Sequence, residues 1–241
     1  MARRKPDPGA IYVSPRLQAS LEPMGRCALT TVTAPMGYGK TTAVNWFLAA
    51  QPPGSAIRVS IYSDSLPALW EGGRRAFRAA GLTVLEGFDC PMDPAATGLL
   101  VDTLCRELRR PEPWYLFADD LHLLPDPRMA RFLCELAARL PENVHLIAAS
   151  RDRILSGDQV LRLGGRLHRI GAEQLRLEGG ELAASVHRCG AALDQEQLAE
   201  LQQATEGWMA AVYLRLRALT EQGADPGETD IYEMFLSLIH I

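Results

Sequence analysis

Several easy identities are missing from this sequence. It carries no basic surplus: 25 Lys and Arg stand against 29 Asp and Glu, for a formal charge of -4. The clustered positive charge that neutralises nucleic-acid phosphates is absent, so nucleic acid is not the expected ligand of this stretch. It has no CxxC pair and no His at ligand spacing. The cysteines, Cys27, Cys90, Cys105, Cys134 and Cys189, are scattered and odd in number. They read as reduced core thiols, not as a disulfide framework or a metal site. No apolar run reaches the roughly 18 residues of a membrane span. The basic opening "MARRKPDPG" leads into Pro and Gly instead of the apolar core of a signal peptide. A cytoplasmic protein with no membrane partner is the expectation. No internal repeat or low-complexity tract is evident either.

What is present is ample apolar material. At 241 residues, 47% of them apolar, the chain can bury a core and divide it between two domains. Short apolar runs alternate with helical patterns. "CALTTVTA" (27–34), "AIRVSIYS" (56–63), "WYLFADD" (114–120) and "VHLIAAS" (144–150) read as strands. Between them, "KTTAVNWFLAA" (40–50), "LPALWEGGRRAFRAAG" (66–81), "GLLVDTLCRELRR" (98–110) and "DPRMARFLCELAARLP" (126–141) read as helices, the second weakened at its centre by Gly72 and Gly73. Strands apolar on both faces and separated by helices imply an α/β fold, a parallel sheet flanked by helices. After about Arg176 only helical periodicity continues, with Asp194 as a cap and Gly223 as a stop. The expected division is a nucleotide-binding domain over 1–172, a helical domain over 173–223, and a linker and end over 224–241.

The chemistry concentrates in "APMGYGKTT", Ala34 to Thr42. A phosphate loop needs consecutive backbone N–H groups turned inward, followed by a helix N-terminus that favours negative charge. Gly39, Lys40 and Thr41 fit the end of GxxxxGK[ST], with Ala34 in the place of the first Gly. Pro35, Met36, Gly37 and Tyr38 fill the cradle, and Thr42 follows it. Lys40 would reach the β and γ oxygens of ATP or ADP, and the Thr41 hydroxyl would face Mg²⁺. The second half is "YLFADD": Asp119 ends a strand where ligands of open α/β sheets collect and is the Mg²⁺ candidate. Asp120 would orient or activate a water against the γ-phosphate. Arg151 follows the next strand directly and would touch the γ-phosphate, with Arg153 close enough to be confused with it. Taken alone, the Asp pair reads as a cap and Arg151 as a surface residue; the loop upstream tips both towards the site.

"SPRLQASL", "APMGYGKTT", "LFADDLHLL", "HLIAASR" and "TEGW" together resemble the signal-transduction (STAND-class) ATPase module at the N-terminus of large LuxR-type, MalT-like transcriptional regulators. The resemblance runs from about Tyr12 to Leu219. It implies a P-loop NTPase whose ADP form is closed and whose ATP form self-associates, with slow hydrolysis as the reset. It also implies that Gly207 and Trp208 lie near the adenine and that Pro15-Arg16 belongs to an element near the base. Such regulators continue into helical repeats and a C-terminal helix-turn-helix, so DNA is expected as a partner only through a domain this chain lacks. The closing "LSLIHI" (236–241) matches one translation frame of a common transposon-based sequencing adapter, so the chain is expected to be a gene fragment running into adapter sequence. The alternative function is a P-loop small-molecule or nucleoside kinase, which normally needs an Arg-rich lid. Arg188, Arg215 and Arg217 form no compact one.

Overall fold

The computed structural model describes residues 12–90 and 93–221. The linker and closing residues expected over 224–241, and the stop at Gly223, lie outside them. Five strands, β1 (Leu29–Thr33), β2 (Ala56–Ser60), β3 (Trp114–Asp119), β4 (Val144–Ser150) and β5 (Leu167–Ile170), form one parallel sheet in the order β2-β3-β4-β1-β5. Every neighbouring pair is parallel, with Leu29 opposite Leu146 and Arg58 opposite Phe117. The α/β parallel-sheet expectation therefore holds.

The helices are α1 (Pro15–Leu21), α2 (Lys40–Ala49), α3 (Leu66–Ala79), α4 (Pro94–Glu107), α5 (Pro127–Arg139), α6 (Gly157–Leu163), α7 (Ala172–Leu175), α8 (Gly180–Arg188), α9 (Gln195–Thr205) and α10 (Met209–Glu221). Their starts follow residue chemistry. Ser14, Ser65, Asp93 and Asp126 each cap a helix with a side-chain oxygen and are followed by Pro in its first turn. Asp194 caps α9 as expected, in a reciprocal box with Gln197. Gly72 and Gly73 do not break α3. Gly73 is buried, and a Cβ there would lie only 3.8 Å from Leu85.

The pleat sorts the strand residues into two cores. Leu29, Ile57, Leu116, Leu146 and Ala148 pack with α3, α4 and α5 on one face. Val32, Tyr115, Phe117, Ile147 and Ala149 pack with α1, α2 and α7 on the other. Phe117, Leu29 and Ile147 are at most 1% exposed, and each such burial contributes about 1.5–3 kcal/mol. A third cluster, Leu177, Leu182, Val186, Leu201, Val212 and Leu216, is internal to the helical segment after β5. Within the described residues no strand follows β5. The same topology positions the site. β1 lies between β4 and β5 while the chain leaves it for β2 at the far edge, so a crevice opens beyond the carboxyl end of β1.

Candidate functional site

The chain leaves β1 through Ala34, whose N–H extends the ladder to the Ser150 carbonyl at 3.3 Å. Its burial suits a methyl group, consistent with Ala at the first glycine position. Gly37 (φ +81°) and Gly39 (φ +78°) take the left-handed backbone that only glycine adopts without strain. α2 then starts at Lys40 with no side chain capping it, leaving its first-turn N–H groups available to an anion on the positive end of the helix dipole. Lys40 is buried, and its Nζ donates to the Ala34 and Pro35 carbonyls at 2.7 and 3.0 Å. Burial lowers its pKa, Arg151 pushes the same way, and Asp120 and Asp119 oppose. An anion in the cradle is the partner that this desolvated charge favours. Thr42 is exposed, and Tyr38 packs on the Phe117 side of the sheet.

Asp119 ends β3 on that same side with its side chain 3% exposed. The Thr41 hydroxyl lies 3.1 Å from both of its oxygens, the Asp120 N–H donates to Oδ1 at 3.1 Å, and Arg58 Nη2 donates to Oδ2 at 2.6 Å. A hydroxyl beside a carboxylate is the hard oxygen pair that Mg²⁺ accepts when phosphates and water complete its shell, so these residues fit the metal. Among the described residues no cluster of three or more His, Cys, Asp or Glu could hold a metal unaided. Asp120 sits at φ 59°, a left-handed conformation that Asp and Asn adopt more readily than other residues with a Cβ, with its carboxylate half exposed.

His122 is a site-edge residue that the sequence reading did not single out. Its ring is 9% exposed, Nδ1 lies 3.8 Å from Asp120 Oδ1, and neither ring nitrogen has a hydrogen-bond partner. Burial, and next the charge of Arg151, hold its pKa below the ordinary value. Arg151 leaves β4 exposed, with Nη2 3.2 Å from Met36 Sδ. Arg153 is exposed further along the loop. The structure thus brings Lys40, Asp120, His122 and Arg151 into one electrostatic neighbourhood at the sheet edge.

The helical segment closes over the loop. Trp208 Nε1 donates to the Met36 carbonyl and Ala210 N to the Gly37 carbonyl, both at 3.0 Å. Gly207 (φ +75°) is pressed against Leu177: a Cβ there would meet the Leu177 oxygen at 1.9 Å. Leu177 N donates to the Gly207 carbonyl at 3.0 Å. Beside the loop lies a cavity of about 420 Å³ walled by Val13, Leu17, Leu175, Met209 and Tyr213 together with Gly37 and Gly39, within the size range of small-molecule pockets. Gly207 and Trp208, expected near the adenine, are not among its walls; they hold the loop and the α9–α10 turn. Arg16 ties α1 to the helical segment, bonding Glu181 at 2.8 and 3.0 Å and the carbonyls of Glu173, Gln174 and Arg176. Pro15 occupies the first turn of α1. A second apolar cavity, about 220 Å³ and lined by Trp70, Phe77 and Phe132, lies on the opposite face of the sheet from Asp119.

No protein-family model matches the chain. Among curated proteins it is 26% identical over 214 residues to the HTH-type transcriptional regulator MalT of Yersinia pestis (strain Pestoides F), covering 84% of this chain and 23% of that protein. It is 27% identical over 247 residues to the serine/threonine-protein kinase PknK of Mycobacterium tuberculosis, covering 95% and 22%. The chain therefore spans about a quarter of the length of these relatives. Among solved structures it resembles a signal transduction ATPase with numerous domains (STAND) protein with a tetratricopeptide repeat sensor from Pyrococcus horikoshii, with TM-score 0.65, 15% identity, and 95% of this chain and 32% of that chain covered. It also resembles a Walker-type ATPase of Pyrococcus abyssi, with TM-score 0.64, 14% identity, and 100% and 77% covered. The fold is the one these two ATPase structures share, and the relatives include an HTH-type transcriptional regulator. No helix among the described residues is long and apolar enough to cross a membrane.

Proposed function

We propose that this chain is a nucleotide-gated switch: the ATPase module of a LuxR-type transcriptional regulator, closed on ADP and reset by slow hydrolysis of ATP. The observation that carries this reading is the direct bonding of the phosphate loop to the helical segment, Trp208 to Met36 and Ala210 to Gly37. A loop that rearranges around phosphates must move the carbonyls that hold the helical segment, so occupancy and closure become one equilibrium. The loop amides and Lys40 would hold the phosphates, Thr41 and Asp119 the metal, and the 420 Å³ cavity the base. Mg²⁺ held there would supply neutralisation of the phosphate charge. Asp120 would orient the attacking water and accept its proton, and Arg151 would offset the charge developing on the γ-phosphate.

Two relatives named for different outputs, a transcriptional regulator and a protein kinase, match this one short chain. That sharing supports a module that gates other domains over one that carries the output itself. In a longer protein, the ATP form would self-associate, DNA would be met through a separate helix-turn-helix, and the setting would be cytoplasmic. The test is to purify the chain natively, denature it, and identify released nucleotide by chromatography, with Lys40→Ala as control. Near-stoichiometric ADP from the parent and none from the variant is expected. Equal amounts from both, or a parent that also takes up no added ATP, would overturn the proposal. So would steady phosphate transfer from ATP to a small-molecule acceptor.

A further inference from the structure

Arg58 is a charged group on the site to which the nucleotide reading above gives no role. β2 is an edge strand, and Arg58 pairs in register with Phe117, so its side chain lies on the phosphate-loop side of the sheet. The guanidinium crosses the Phe117 ring at 5.2 Å, reaches Asp119 Oδ2 at 2.6 Å, and touches Asn45 Oδ1 of α2 at 3.5 Å. This is not an ordinary surface pair. Arg58 is 43% exposed, but its partner carboxylate is 3% exposed and is the one that Thr41 also bonds.

We propose that Arg58 is a built-in counter-cation for the metal carboxylate: it holds Asp119 when no metal is bound, and Mg²⁺ must displace or share it to bind. The inference rests on the nucleotide reading above. A buried carboxylate without a cation is costly, and Arg58 removes that cost in the metal-free protein. The same charge then repels an incoming divalent ion at a few ångströms, an effect that solvent at the 43% exposed guanidinium reduces but does not remove. The metal requirement of the site is thereby shifted to higher Mg²⁺ concentration. A bound metal would also loosen the Arg58–Asp119–Thr41 route from β2 to α2, leaving the direct Arg58–Asn45 contact.

The test uses the full chain, with Arg58→Met, which keeps the stem on Phe117 and removes the charge, and Arg58→Lys, which keeps the charge. Affinity for a fluorescent ATP analogue is followed as Mg²⁺ is titrated from an EDTA baseline. Mn²⁺ bound in the presence of ADP is counted by electron paramagnetic resonance. Far-UV circular dichroism and thermal melts confirm that the variants fold. The Met variant is expected to reach half-effect at about tenfold lower metal concentration, with the Lys variant close to the parent. A Met variant that binds nucleotide with an unchanged or higher metal midpoint overturns the role of Arg58 alone. A parent that binds no nucleotide at any Mg²⁺ concentration overturns it together with its premise.

Discussion

The indole N–H of Trp208 donates to the carbonyl oxygen of Met36 at 3.0 Å, joining positions 172 residues apart in the chain. The adjoining bond from Ala210 N to the Gly37 carbonyl makes the loop after β1 a docking strip for the first turn of α10. Trp208→Phe deletes the donor together with part of the ring, so the cost should be about 1 kcal/mol or more in stability. Amide hydrogen exchange should quicken at residues 36–39 and in the first turn of α10. Exchange unchanged at both places would show that the bond does not hold the loop.

Gly37 and Gly39 separate two effects usually confused. Both sit near φ +80°, so alanine at either costs the left-handed penalty of about 1–2 kcal/mol. Only Gly37 also lacks room: a Cβ there would fall 2.6 Å from both Ala210 Cβ and Trp208 Nε1, whereas at Gly39 the nearest atom is Met209 Cγ at 3.9 Å. Gly37→Ala should therefore lower the melting temperature clearly more than Gly39→Ala. Adding Ala210→Gly should restore part of the difference, since the indole contact stays. Equal melting temperatures for the two single variants would contradict the packed interface.

The loop and the carboxylate pair were legible because their backbone and charge requirements leave few residue types, so Gly37, Gly39, Lys40, Thr41, Asp119 and Asp120 stand out in one dimension. β1, β3 and β4 were legible as apolar, β-branched or aromatic runs. β5 was not: "LHRI" is four residues at an edge, with three of them partly or fully exposed, and it pairs only with β1. α1 and α6 are seven residues each, too short for a helical period to register. The cavity walls come from Val13, Leu175 and Tyr213, apolar residues from three distant stretches that look like ordinary core. Arg58 escaped notice because a charged residue alternating within an edge strand looks solvent-facing. The bond from Trp208 to Met36 was not legible either, because local pattern does not encode how α10 enters against the loop.

The two aspartates should separate in function. Asp119→Asn removes the charge shared by Thr41 and Arg58, so Mg²⁺-dependent ATP binding should weaken by about tenfold or more, with ADP binding in EDTA little changed. Asp120 lies at φ 59°, a conformation that Asn tolerates, so Asp120→Asn changes the chemistry without adding strain. Single-turnover hydrolysis should slow by about 10²-fold while ATP affinity stays near the parent value. If both variants lost binding equally and turned over alike, the division of roles between the pair would be wrong.

Acid sensitivity should come from a histidine outside the site. His145 lies buried in β4, its Nδ1 3.0 Å from the Cys27 carbonyl and its ring stacked on Tyr115 at 5.2 Å. Burial lowers its pKa, the Cys27 hydrogen bond opposing. The unfolded chain takes up a proton near the ordinary value of about 6.5, but the folded protein still resists it there. The stability contributed by neutral His145 is thus fully present above about pH 6.5. It is lost as pH falls from there through the folded value, with a slope of up to about 1.4 kcal/mol per pH unit. A partly buried carboxylate acts lower: desolvation pushes the Glu181 pKa up, but hydrogen bonds from Arg16 and Ser14 hold it below its ordinary value. His145→Asn keeps an N–H that can reach the Cys27 carbonyl, loses the stacking, and cannot titrate. In urea denaturation between pH 7.5 and 5 it should start less stable than the parent and fall less steeply. His122, whose pKa is lowered in the same direction, leaves a residual slope. Parallel pH dependences for parent and variant would place the acid-sensitive group elsewhere.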